Sequence, residues 1–322
     1  MQKILNFSKN ILLIIISSIF IIVVCELFLR LKHSIIPNYD IEMWKYSKKL
    51  KVKSENKKIG HIHIPNKEAI LQKVKIRINN IGIRGDDIDL NNLGIYEKKI
   101  IFIGSSMLLG WGVDEQKIFT SVLKKKSLND KKDWLILNGG IGNYNTQRYV
   151  ENYFENFANI KIDNLVVAYF INDTEILLPN NSNFFERNTH LGVLVWKFIN
   201  SKKDIFQNKN VVDYYKRIYD DDYEGFQVAK KELRKLNKYC VVKNIKCQII
   251  LIPHVLDIKP YKFNFINEKI TSFSNSIGLE VYDFLADLQK YENKKLMNDY
   301  NDRHINAFSH KIIGEKLYEI LN

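Results

Sequence analysis

Three cysteines in 322 residues, Cys25, Cys240 and Cys247, are too few for a disulfide framework. The stretch Val23-Val24-Cys25 lacks the small residue normally needed before a lipidated cysteine, so a lipoprotein is not expected. Cys240 and Cys247 flank a helix-to-strand junction, where buried free thiols are the expected state. The chain has no internal repeat, no low-complexity tract and no recognised nucleic-acid module. Its net charge of +13, from 49 Lys and Arg against 36 Asp and Glu, is dispersed, so a nucleic-acid partner is not expected. Such a surplus suits either a lysine-rich solvated surface or attraction to anionic lipid or an anionic polymer. His61-Ile62-His63 could place two imidazoles on one strand face, but no third ligand lies nearby. No metal or organic cofactor is expected.

What is present is an ordinary globular balance, 46% apolar and 26% charged, in a length that allows one sizeable α/β domain plus extras. The N-terminus is different. From Asn10 to Cys25 there is no charge, and the apolar run from Ile11 to Val24 is interrupted only by Ser17 and Ser18. Continuing through Leu27-Phe28-Leu29 gives about 19 residues, near the ~20 needed to span hydrocarbon. Glu26 sits close to one end, where it can reach the interface. No small-x-small cleavage site follows, so residues 1–33 are expected to be an uncleaved signal-anchor in the lipid bilayer. Lys3 and Lys9 precede the segment, while Arg30, Lys32 and lysines between Lys45 and Lys53 follow it. Charge alone does not set the orientation.

Residues 34–97 read as a lead-in with short strands. Lys73 to Asn79 alternates basic and apolar, a half-buried strand, and Asn80 to Gly85 reads as a turn. From residue 98 the pattern becomes strand–helix alternation. Strands are expected at 99–104, Trp134–Asn138, Leu165–Phe170, Gln248–Ile252 and Leu279–Asp283, with helices at about 115–126, 145–158, 226–243, 264–275 and 307–321. Continuous apolar strands, each followed by a helix, argue a sheet covered on both faces. The expected fold over 98–322 is therefore a three-layer, doubly wound α/β domain on a mostly parallel five-stranded sheet. An insertion at about 176–225 breaks the rhythm, with bulky apolar residues over Thr189–Phe198 and an acidic-aromatic run from Tyr214 to Tyr223. It could cap a pocket and stack aromatics on sugar rings, or be a packed helical excursion.

Chemistry gathers at the expected strand ends. Ile100-Ile101-Phe102-Ile103 stops at Gly104-Ser105-Ser106, placing a hydroxyl at the carboxyl edge of the sheet, where open α/β sheets bind ligands. Acyl transfer needs a nucleophile, a base and donors aimed at the tetrahedral oxyanion. Ser106 is the expected nucleophile, its own N–H a first oxyanion donor, and Ser105 a turn hydroxyl. Gly142 or Asn143, in Asn138-Gly139-Gly140-Ile141-Gly142-Asn143-Tyr144-Asn145-Thr146, offers a second N–H. Asn172, in Phe170-Ile171-Asn172-Asp173, offers a side-chain amide, and His304 is the base with Asp302 to orient it.

In that order these blocks resemble the SGNH (GDSL) hydrolase superfamily across about residues 98–321. The family's Gly-Asp-Ser reads here Gly104-Ser105-Ser106, its oxyanion glycine falls on Gly142 or is replaced by Asn143, and its Gly-x-Asn-Asp reads Phe170-Ile171-Asn172-Asp173. The usual acid three before the histidine would land on Asn301; here Asp302 stands two before, a spacing similar to that of membrane-anchored members. Ile78 to Gly85, followed by the first block and Gly110-Trp111-Gly112-Val113, looks like the single-anchor SGNH proteins of bacterial envelopes. That resemblance implies an inner-membrane, single-pass protein whose catalytic domain faces the periplasm or exterior, acting on an acylated carbohydrate or other ester of a surface polysaccharide. It leaves open esterase against O-acyltransferase. Ser105 and Phe170 replace the family's Asp and Gly, which motivates a rival reading as a non-catalytic polysaccharide-binding or envelope-assembly protein. Pro253-His254-Val255 is read as a loop.

Overall fold

The computed structural model describes residues 2–177, 184–207, 210–299 and 302–322. The chain forms two compact units, Met1–Lys45 with Asn180–Gln207, and Tyr46–Pro179 with Asn208–Asn322.

In the first unit a helix runs over Gln2–Ile35, and its side chains from Ile11 to Val24 are exposed throughout. The 30-residue stretch Asn6–Ile35 is long and apolar enough to cross a membrane, about 45 Å at a helical rise. Helices Phe184–Asn188 and His190–Gln207 complete this unit, and the helix Tyr39–Leu50 carries the chain from it into the second.

The second unit is built on five strands, β1 (Lys98–Gly104), β2 (Trp134–Gly140), β3 (Asn164–Tyr169), β4 (Lys246–Leu251) and β5 (Glu280–Asp283). Their order in the sheet is β2-β1-β3-β4-β5, with every pair parallel. Right-handed crossovers then dictate where the helices go. The step from β1 to β2 moves one way along the sheet, and every later step moves the other, so the helices must divide between two faces. Helix Phe119–Asn129 packs with the closing helix Ala307–Leu321, and helix Thr146–Asn152 packs with Glu224–Lys243. The strands are buried as the apolar runs require: Ile100, Ile101 and Phe102 of β1 and Leu165, Val166, Val167 and Ala168 of β3 are all at 0% exposure. The expected three-layer, doubly wound α/β architecture is the one found.

Where the elements differ from expectation, the reasons are local. Strand β2 runs two residues further, through Gly139 and Gly140, because without side chains these can lie against β1; a Cβ on Gly139 would sit 2.8 Å from the Phe102 carbonyl oxygen. The helix expected from 115 begins as a separate turn at Glu115–Lys117, and the α-helix starts at Phe119, whose N–H donates to His310 Nδ1 at 3.1 Å. The helix expected over 145–158 is α-helical only to Asn152, then widens into a π-helical turn at Tyr153–Phe157.

The lead-in forms two antiparallel pairs, Lys51–Lys53 with His61–His63 and Lys67–Leu71 with Val74–Ile78. From Tyr46 onward it lies in the same compact unit as the sheet. Arg84 is one reason. Its backbone N–H donates to the Asn138 carbonyl at the end of β2, while its buried guanidinium donates to the carbonyls of Leu109, Gly110 and Val113 at 2.7–2.8 Å. Burial lowers that guanidinium's pKa to about 10. His61 and His63 are spent on hydrogen bonds: His61 Nε2 to the Gly142 carbonyl, His63 Nε2 to the Tyr46 hydroxyl and His63 Nδ1 to the Gly82 carbonyl. Among the described residues no three His, Cys, Asp or Glu side chains are grouped to hold a metal. Cys240 and Cys247 are free and buried.

Candidate active site

At the end of β1 the chain turns sharply into a one-turn helix, Ser106–Leu109. A Cβ on Gly104 would meet the Ala168 carbonyl oxygen at 2.7 Å, and one on Gly140 would meet the Leu109 nitrogen at 2.3 Å. Glycine at both positions therefore lets the turn settle onto the ends of the neighbouring strands. Gly110 ends it in a left-handed conformation at φ 76°. Within this compact turn Ser105 is buried, and Ser106 is the half-exposed residue of the stretch from Ile101 to Gly110. The first N–H groups of a helix have no partner within it. That of Ser106 makes no hydrogen bond among the described residues.

Ser106 Oγ lies 2.8 Å from His304 Nε2, across a sequence separation of 198 residues. His304 Nδ1 lies 2.6 Å from Asp302 Oδ1, and the same oxygen accepts the backbone N–H of His304 at 3.2 Å. A short side chain that accepts from the backbone two residues on is a habitual Asp turn. Here it also aims the carboxylate at the ring, so a two-residue spacing suffices to orient the imidazole. In the tautomer whose Nδ1–H donates to the carboxylate, Nε2 is left as the acceptor for the Ser106 hydroxyl. Asp302 and His304 are buried, at 6% and 8% exposure, while Ser106 is half-exposed. The loop is pinned to the Ser106 turn by Asn298, whose Nδ2 donates to the Trp111 carbonyl at 2.8 Å and whose N–H donates to the His304 carbonyl. Asn301, the alternative partner for His304, lies outside the described residues.

The second block ends β2 and enters helix Thr146–Asn152, with Asn145 capping that helix through Arg148 N–H at 3.0 Å. Between the two candidate donors the structure discriminates. The N–H of Gly142 donates to the buried Tyr46 hydroxyl at 2.9 Å, so this amide is already committed. Its carbonyl accepts Lys51 Nζ at 2.7 Å and pairs with His61 Nε2 at 3.0 Å. Burial brings the Lys51 ammonium down to about pKa 7 and holds His61 down at about 2. Asn143 is exposed and left-handed at φ 64°, and its N–H has no partner among the described residues. Its carbonyl is held by Arg148 Nη1 at 3.0 Å. Gly142 thus shapes the loop from beneath, and Asn143 presents the available amide.

The third block leaves β3 in a tight turn. Phe170 N–H donates to Asp173 Oδ2 at 3.1 Å, and the Asp173 carbonyl accepts Thr146 N–H at 2.9 Å, joining this block to the second. Asp173 is fully enclosed, and burial pushes its carboxyl well above the usual range against the opposing Phe170 N–H. Asn172 Oδ1 accepts the Tyr215 hydroxyl at 2.6 Å, leaving Nδ2 without a partner among the described residues. Tyr215 stands on helix Val211–Ile218, inside the stretch read as an insertion. Its ring packs edge-on against Phe263 at 5.2 Å. His254 is a loop residue, as expected. It precedes a short turn at Val255–Asp257, packs against Phe263, and is held by burial at a pKa of about 4.

In the blocks that suggested the resemblance, hydroxyl, imidazole and carboxylate stand in line, and the N–H groups of Ser106 and Asn143 and the Asn172 Nδ2 have no partner among the described residues. Four contributors went unread in the sequence. Tyr46 and Asn298 carry no local signal, Arg84 lies in the Ile78–Gly85 block without a visible role, and Tyr215 is one of several tyrosines in its run.

No family model matches the sequence, and no curated protein matches it. Among solved structures, 70% of the chain aligns with 95% of a lipase/acylhydrolase from Enterococcus faecalis, at 11% identity and a TM-score of 0.44. The same share aligns with the whole of an acetyl xylan esterase at 13% identity and a TM-score of 0.45. It also aligns with 97% of a psychrotrophic esterase from Pseudoalteromonas sp. at 12% identity and a TM-score of 0.43.

Proposed function

We propose that this chain is a membrane-anchored serine esterase or O-acyltransferase of the SGNH type, acting on ester-linked acyl groups of an envelope or surface polysaccharide. The observation that carries the reading is the unbroken line from Asp302 through His304 to Ser106 Oγ. A serine hydroxyl is a weak nucleophile until a base removes its proton. His304 Nε2 takes that proton as Ser106 Oγ attacks the ester carbonyl, and Asp302 balances the imidazolium that results. Negative charge gathers on the former carbonyl oxygen, where the Ser106 N–H, the Asn143 N–H and Asn172 Nδ2 receive it. Such fixed donors are worth roughly 10²–10³ in rate apiece. Gly142 leaves the donor set because its amide serves Tyr46.

His304 next delivers its proton to the departing alkoxide, the C–O bond breaks, and the acyl group stays on Ser106. A second hydroxyl, deprotonated by His304, attacks the acyl-serine, and Ser106 recovers its proton as it leaves. Water as acceptor gives an esterase; a sugar hydroxyl gives an acyltransferase. The exposed apolar helix at Asn6–Ile35 supports the anchored form; the placement of the catalytic unit outside the cytoplasm of a bacterial inner membrane rests on the resemblance to envelope-type members. The polysaccharide substrate is supported by the similarity of the Ile78–Gly85 block to envelope-type members.

The test is fluorophosphonate labelling of the full chain in detergent, with the modified residue mapped by mass spectrometry. A label on Ser106 that disappears in His304→Ala is expected. A label on Ser105, or none on folded protein, would overturn the assignment.

A further inference from the structure

We propose that helix His190–Gln207 lies in the headgroup–acyl boundary of the bilayer beside the N-terminal helix, as a second membrane contact of the first unit. This rests on the reading that the N-terminal helix spans a membrane. The joint between the two helices is Glu26, a carboxylate in an otherwise apolar stretch. Its oxygens accept the N–H groups of His190 at 3.1 Å and Leu191 at 2.9 Å, and Arg30 pairs with it at 2.7 Å. A charge at membrane depth is costly unless it is partnered or close to the interface. A helix start supplies free N–H groups and the positive end of the dipole. The carboxylate therefore fixes the start of the second helix to a level about 14 Å before the end of the first, nine residues at the helical rise.

Beyond the joint the second helix becomes apolar and open. Val195, Trp196, Phe198 and Ile199 are 44%, 40%, 63% and 51% exposed, and Phe184 just upstream is 83% exposed. Scattered apolar residues on a surface are ordinary, but a run of them marks a contact face. Within the same unit lie the exposed Leu27, Phe28 and Leu31 of the N-terminal helix, which assigns one occupant, lipid, to both surfaces. The polar groups fit that level: Lys197 pairs with Asp40 at 3.4 Å, and Arg30 and Lys32 are cations at headgroup depth. Tryptophan, basic residues and an apolar face are the equipment of an interfacial helix.

Full-length protein with Cys25, Cys240 and Cys247 replaced by alanine, reconstituted in phosphatidylethanolamine–phosphatidylglycerol vesicles, tests this by nitroxide accessibility. Labels would be placed at Ile19→Cys, Val195→Cys, Ile199→Cys and, as an aqueous reference, Lys125→Cys. Oxygen-to-nickel-chelate collision ratios at 195 and 199 several-fold above that at 125, and at or below that at 19, are expected. Aqueous values at 195 and 199 with a high ratio at 19 would overturn the interfacial helix while the span stands. Aqueous values at all three would remove the span and the inference together, and exclusion of both reagents from 195 and 199 would mean protein covers the face. A measurement that keeps the native cysteines guards against misfolding. Brominated acyl chains should quench the intrinsic fluorescence, and Trp196→Phe should lose at least half of that quenching; unchanged quenching would count against the proposal.

Discussion

The site concentrates its chemistry in single atoms, and each has a distinct expected failure. Ser106→Ala should abolish acyl-enzyme formation. Asp302→Asn should leave His304 in place but unsettle which ring nitrogen carries the proton, lowering kcat by roughly 10³–10⁴-fold, read in steady-state ester hydrolysis. The Asn172–Tyr215 pair separates two kinds of contribution. Asn172→Ala removes a donor outright and should lower kcat by about 10²–10³-fold with KM little changed. Tyr215→Phe keeps the ring against Phe263 but frees the amide to rotate, a loss of about one net hydrogen bond, or roughly tenfold in kcat. An unchanged kcat in Tyr215→Phe would show that the amide is held some other way.

Elements carry the next level of explanation, because the turn at Ser106 works only if β1, β2 and the following helix approach at backbone distance. Gly140→Ala would drive a methyl into the Leu109 nitrogen. Overpacking of this kind typically costs about 1–3 kcal/mol. A lowered Tm together with weakened labelling of Ser106 is expected, since the strain falls on the turn that carries Ser106. The same strand ends explain what the sequence made legible. Apolar runs closed by Gly104-Ser105-Ser106, by Gly139-Gly140 and by Asn172-Asp173 mark a buried strand and its carboxyl edge, so the mostly parallel five-stranded sheet followed from pattern; the strand order did not, and the Ser106–His304 pairing was expected from the chemistry of the blocks and their resemblance. The sequence names Asp302 as the acid beside His304 and leaves Asn301 open as the alternative; the structure shows the Asp302 contact, made within two residues, and Asn301 lies outside the described residues. Gly142 against Asn143 stayed open because Tyr46, the partner of the Gly142 amide, is 96 residues away in a segment that the sequence marks only as a lead-in. Arg84 and Asn298 act through carbonyls of distant turns, and backbone acceptors leave no trace in side-chain patterning.

The second unit as a whole encloses titratable groups that shape its response to acid. Burial holds His61 at about 2, His63 at about 3 and His310 at about 3. The unfolded chain would protonate these histidines near 6.5, whereas the folded one does so only near 2–3. From pH 6.5 down towards 3 the unfolded state therefore binds more protons, and stability falls with pH by up to about 1.4 kcal/mol per unit per histidine. Thermal unfolding in detergent should show Tm dropping steeply below pH 6. His310→Gln, whose amide oxygen can still accept the Phe119 N–H, should make that slope shallower by about one proton. An equal slope would mean that His310 is not among the groups responsible.

Ser106 and His304 stand 198 residues apart, with strands β2 to β5 between them in the chain. A contact so distant in sequence forms only once every intervening strand has taken its place. Fluorophosphonate labelling of Ser106 should therefore gauge the integrity of the whole sheet, fading in step with the loosening of any one of its strands.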